Sequence, residues 1–93
     1  MPKTIDQTYH MLIVEDDTDI LMGLEEYFEL EEYRVETAED GAEALQKMQD
    51  MDKCDVVLLD VMLPEKDGFE VLEESQEMGF SAPILMITAR GEQ

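Results

Sequence analysis

Five side chains able to do chemistry stand where apolar runs end: Glu15, Asp16 and Asp17 after Met11 to Val14, Asp60 after Val56 to Leu59, and Thr88 after Ile84 to Ile87. If those runs are parallel strands, all five lie beyond the carboxyl ends of a sheet, where open α/β sheets bind their ligands. Carboxylates brought together there repel, and a cluster is tolerable mainly when a cation neutralises it or some members are protonated. A hard divalent ion is the natural partner. Magnesium keeps several waters and takes one or two carboxylates plus a phosphate, which suits so small a site. Asp16 and Asp60 are expected to ligate Mg2+ directly and Glu15 through a water, with the carbonyl of Met62 as a further ligand. Asp17 reads better as a helix cap. Capping does not serve Asp60, because no helix follows at once and Pro64 keeps the next residues from forming one.

The elements that must position these groups are marked by their periodicity. The three apolar runs are continuous and rich in branched residues, as strands buried on both faces require. Tyr33 to Thr37 alternates apolar and polar, which predicts an edge strand. Between the strands lie stripes of helical period: Ile20, Leu21, Leu24, Tyr27 and Phe28; then Ala44, Leu45 and Met48; then Phe69, Leu72 and Met78. All are expected to face the core. Asp40 with Glu43, and Asp67 with Glu70, have the spacing of capping boxes, and Gly79 is placed to end the third helix. The alternation of strands and helices predicts parallel pairing through right-handed crossovers.

Ninety-three residues at 44% apolar content make one domain, 1–93, with a short loose arm over 1–8 and no repeat, low-complexity tract or linker. Its 25 acidic and 6 basic side chains give a net charge of -19, which argues against nucleic acid and anionic lipid as partners. No stretch approaches the ~20 apolar residues of a membrane span, and Met1 to Thr8 lack a signal-like apolar core, so a cytoplasmic protein is expected. Cys54 has no partner for an internal disulfide and reads as a buried thiol. Glu25, Glu26, Glu29, Glu31, Glu32, Glu73, Glu74 and Glu77 are assigned to water-facing helix surface, Lys66 to a solvated loop, and Gly68 to an easy helix start. An aspartate-nucleophile hydrolase would need a general acid near its nucleophile, and His10 lies at the wrong end of the first strand. The chain is not expected to be an enzyme.

The segments "LIVEDDTDI", "VVLLDVMLPEKDGFEVL" and "PILMITARGE" resemble, in order and spacing, the first, third and fourth strand motifs of CheY-like response-regulator receiver domains of two-component signalling. The resemblance runs from about Met11 to Glu92. It implies a flavodoxin-like α/β receiver fold whose full sheet order is 2-1-3-4-5. Here the fourth helix, fifth strand and fifth helix do not follow, so a parallel sheet of order 2-1-3-4 is expected. The resemblance further implies that a sensor histidine kinase or phosphotransfer protein donates a phosphoryl group to Asp60, with Mg2+ bridging protein and phosphoryl oxygens. Thr88 would then hydrogen-bond a phosphoryl oxygen while Ala89 leaves it room. The lysine and aromatic switch residue of the fifth strand are missing, so output is expected to be impaired, and an uncovered fourth strand or sheet face predicts self-association. Whether the chain is a shortened receiver or a fragment of a longer regulator stays open. The alternative is a phosphorylation-independent interaction domain; loss of the lysine favours it, and retention of Glu15, Asp16 and Asp60 opposes it.

Overall fold

The structure is a computed structural model that describes residues 8–64 and 66–87. Thr88, Ala89 and nearly all of the expected N-terminal arm lie outside those residues. Four strands, β1 (His10–Val14), β2 (Arg34–Ala38), β3 (Val56–Asp60) and β4 (Ile84–Ile87), form one parallel sheet of order β2-β1-β3-β4. Helices α1 (Thr18–Leu30), α2 (Gly41–Asp50) and α3 (Gly68–Glu77) make the crossovers. This is the expected flavodoxin-like order, with β2 at one edge and β4 at the other.

The two central strands carry the core because alternate side chains serve opposite faces. Leu12, Val14, Val57 and Leu59 pack with Ala44 and Met48 of α2 and Val71 of α3. Met11, Ile13 and Leu58 pack with Leu21, Leu24 and Phe28 of α1. Fully burying a Leu, Val, Ile or Met side chain among them contributes about 1.5–3 kcal/mol.

Local chemistry sets the helix ends. Asp17 Oδ1 accepts from the N–H groups of Asp19 and Ile20 at 3.0 and 3.2 Å, so the cap expected there is present. At α3 the full capping box forms between Asp67 and Glu70. At α2 only half of it does: Asp40 accepts from Glu43 N–H, while the Glu43 carboxylate turns to Glu39 N–H. Gly79, at φ 85°, closes α3, with Phe80 N–H on Ser75 O and Gly79 N–H on Gln76 O. The same pair of bonds closes α1 around Glu32, at φ 71°, a left-handed position filled without glycine.

Three expectations about burial are corrected. Phe69 and Met78 do not join the core, being 61% and 38% exposed; α3 turns Gly68, Val71 and Ser75 inward instead. The small Gly68 seats the first turn against β3, and that rotation carries Phe69 outward. Tyr27 is also exposed and lies edge-on to Phe28, which takes the core position. Finally, β4 is not buried on both faces. Leu85 is 55% exposed on the α1 side, because α1 packs over β1 and β2. Cys54 is half-buried, with its thiol donating to Val56 O.

Candidate metal centre at the carboxyl end of the sheet

Parallel register brings the acids together. Val14 pairs with Leu59, so one further residue along each chain places Glu15 beside Asp60. Both are fully buried, and Asp16 is partly so. One carboxylate oxygen from each of Glu15, Asp16 and Asp60 lies within 4.8 Å of the others. Thus three of the four expected metal-binding residues converge through their side chains. Met62, the fourth, follows in the loop, where its N–H donates to Asp60 Oδ1 at 3.2 Å and its side chain points to solvent. Asp16, Val61, Met62, Leu63, Asp67 and Phe69 line an open recess of about 580 Å³ there.

Main-chain bonds hold the cluster in place. Glu15 N–H donates to Ala38 O at 3.0 Å, and Glu15 Oε2 accepts from Asp17 N–H at 2.9 Å. Val61 N–H, just past Asp60, donates to Ile87 O at 2.9 Å, and Gly68 N–H donates to Val61 O at 2.9 Å. Asp60 itself pairs in register with Ile87, the residue before Thr88.

Unit charges at this spacing repel by about 3–4 kcal/mol per pair at an effective dielectric of about 20. The lysines do not answer that charge among the described residues. Lys66 pairs with Glu74, whose hydrogen bond pushes the ammonium pKa up. Lys47 reaches Glu36, Glu43 and Thr37 O, and Lys53 reaches Asp55 and Thr8 O at the opposite end of the sheet. His10 is also at that end, its N–H on Asp55 Oδ2. An all-oxygen, strongly anionic donor set of this kind fits a hard divalent cation such as Mg2+.

Two glycines shape this end of the sheet by their lack of a side chain: Gly68, read from the sequence only as an easy helix start, and Gly41, which the sequence reading did not single out. A Cβ on Gly68 would fall 2.6 Å from Asp60 O, and one on Gly41 would fall 2.7 Å from Val71 Cγ2 and 2.9 Å from Lys66 O. Each directly follows a capping aspartate, Asp67 or Asp40, where the cap is the stronger signal in the sequence.

The family pattern described as the response regulator receiver domain matches residues 11–93. The transcriptional regulatory protein CpxR homolog of Haemophilus influenzae is 45% identical over 82 residues, which are 88% of this chain and 35% of that protein. The alkaline phosphatase synthesis transcriptional regulatory protein PhoP of Bacillus subtilis is 42% identical over 83 residues, 89% of this chain and 34% of that one. The solved response regulator protein TrrA of Thermotoga maritima, in complex with Mg2+-BeF, superposes with a TM-score of 0.82 at 35% identity, over 88% of this chain and 70% of its own. The chain spans about a third of the length of the curated relatives it matches.

Proposed function

The chain belongs to the response regulator receiver domain family, and from that premise we propose that Asp60 accepts a phosphoryl group from a phosphohistidine of a sensor histidine kinase or phosphotransfer protein. The observation that carries this reading is the buried Asp60 carboxylate at the end of β3, within 4.8 Å of the Glu15 and Asp16 carboxylates. In the transfer, an Asp60 oxygen forms the new O–P bond, the P–N bond to the donor imidazole breaks, and the departing nitrogen takes a proton. Met62 N–H orients the acceptor through Oδ1. Glu15, Asp16 and Asp60, with the Met62 carbonyl, would hold Mg2+, which supplies charge neutralisation for the phosphoryl oxygens when bound. Thr88 is assigned to hydrogen-bond a phosphoryl oxygen, one residue past the β4 partner of Asp60.

The protein acts as a stoichiometric acceptor, without turnover. Catalysis is positioning and electrostatics. Uptake leans on the metal, which would neutralise charge on the incoming phosphoryl group beside the Glu15, Asp16 and Asp60 carboxylates. Among the described residues no helix is long and apolar enough to cross a membrane, and a cytoplasmic site of action fits a kinase-fed acceptor.

Intact-mass measurement after incubation with Mg2+ and acetyl phosphate tests the reading. One added phosphoryl group, absent from Asp60→Asn, is expected. The same gain in Asp60→Asn places the acceptor elsewhere, and no gain in folded, Mg2+-bound protein leaves a phosphorylation-independent interaction module.

A further inference from the structure

Gly68 opens α3 directly against the acceptor strand. A β-carbon there would lie 2.6 Å from Asp60 O, 2.9 Å from Val61 Cα and 3.0 Å from Met86 Cε. The first two are main-chain atoms, so no side chain can swing aside to relieve the contact. That main chain is also held from two directions, by Val61 N–H on Ile87 O and Gly68 N–H on Val61 O. Gly68 does not have a left-handed φ; among described glycines only Gly79 does. Alanine would therefore suit the helix backbone at least as well, and would lose less entropy on folding. What glycine supplies here is the close approach.

We propose that Gly68 is a positioning residue for the phosphoacceptor: its bare Cα lets the first turn of α3 press on Asp60 and Val61, which sets the Asp60 carboxylate in place beside Glu15 and Asp16. The inference rests on the reading of Asp60 given above. Restoring ordinary contact, from 2.6 to 3.4 Å, moves one backbone or the other by 0.8 Å. Displacement of a reacting group by about 1 Å can cost on the order of 10²-fold in rate. Asp60 is both metal ligand and acceptor in this reading, so affinity and uptake suffer together.

The test compares Gly68→Ala with Gly23→Ala on α1, where a β-carbon meets nothing within 4 Å. Three quantities are read on folded protein: the metal-free amide shifts of Asp60, Val61 and Met62 by NMR, the Mg2+ affinity by titration, and phosphoryl uptake from acetyl phosphate by mass. Gly68→Ala is expected to move those amides, weaken Mg2+ by about 10- to 100-fold as loss of a supporting group does, and slow uptake; Gly23→Ala leaves all three unchanged. A folded Gly68→Ala with wild-type shifts and Mg2+ affinity overturns the proposal. If Gly68→Ala does not fold, the measurement moves to the Glu32→Gly background, which relieves the left-handed position at the far end of α1. A variant that stays unfolded even there also overturns it, because Gly68 then serves the whole fold and not the acceptor. Should wild type bind Mg2+ yet take no phosphoryl group, while Gly68→Ala still loses Mg2+, the acceptor reading fails and the positioning of Asp60 stands.

Discussion

Asp60→Asn is expected to stabilise the metal-free protein and, at the same time, to erase its response to magnesium. Three carboxylate oxygens within 4.8 Å make three repulsive pairs, and Asp60 belongs to two of them. At about 3–4 kcal/mol per pair the ceiling is about 7 kcal/mol. Water at the partly exposed Asp16 and screening by salt reduce it, and about 1–3 kcal/mol is expected. Asparagine keeps the shape and the Oδ1 that accepts from Met62 N–H, so little is lost in return. For a domain of this size each kcal/mol moves Tm by roughly 4–8 °C. With free Mg2+ at ten times Kd, wild type gains ~1.4 kcal/mol through binding to the folded state, and the variant should gain almost none. Thermal melts by circular dichroism, in EDTA and across a Mg2+ series, read both effects. An Asn variant no more stable than wild type in EDTA would show that the cluster is not a net source of repulsion. A full Mg2+ shift in the variant would show that the ion is held by other residues.

Glu32→Gly should raise stability by about 1 kcal/mol, because the residue closes α1 at φ 71° and a β-carbon there is strained; an unchanged melt would mean the strain is already relieved. Burial pushes the Cys54 thiol above its ordinary 9.0, and the Glu74 hydrogen bond pushes Lys66 above 10.5. Both groups hold their protons more tightly when folded, so their stabilisation is complete below the unfolded pKa values and fades as pH rises through the folded ones. Urea midpoints should fall from pH 9.0 upward, and a midpoint that climbs there contradicts the assignment. The 93-residue chain should self-associate through β4, which is the outer strand among the described residues and shows Leu85 55% exposed; light scattering that finds only folded monomer at high concentration refutes this.

The sequence made the sheet legible because its strong signals agree with its tertiary demands. Met11 to Val14 and Val56 to Leu59 are apolar at every position, and the structure buries nearly all of them between two helical layers. The acids that interrupt those runs were legible for the same reason, since a carboxylate at the end of a buried strand has no packing role. Helix faces were harder. Phe69 scores as apolar on any scale, yet it is Val71 and the polar Ser75 that go inward, because the facing of α3 is set by the contact between Gly68 and Asp60. A pattern of side-chain polarity carries no information about a missing side chain. Tyr27 and Phe28 pose a related problem, as adjacent residues on a helix point roughly 100° apart, and only the packing decides which of the two aromatics takes the core position.

The main chain around Gly68 explains how so repulsive a cluster is held together. Glu15 and Asp60 would separate if their strands could slide or their loops relax, and every unit of separation would lower the Coulomb energy. They are prevented from doing so by main-chain hydrogen bonds that carry no charge: Glu15 to Ala38 on one side, Val61 to Ile87 on the other, and Gly68 to Val61 across the loop. Where such a bond is out of water, breaking it leaves a desolvated partner at about 1–3 kcal/mol. Three of them together are comparable with the repulsion they resist. Gly68 lets the third form at 2.9 Å with α3 close against β3, where a β-carbon would fall 2.6 Å from Asp60 O. The acidic site and the bare helix start are therefore one device: the repulsion gives the site its demand for a cation, and the close-packed backbone keeps that demand from being relieved by movement.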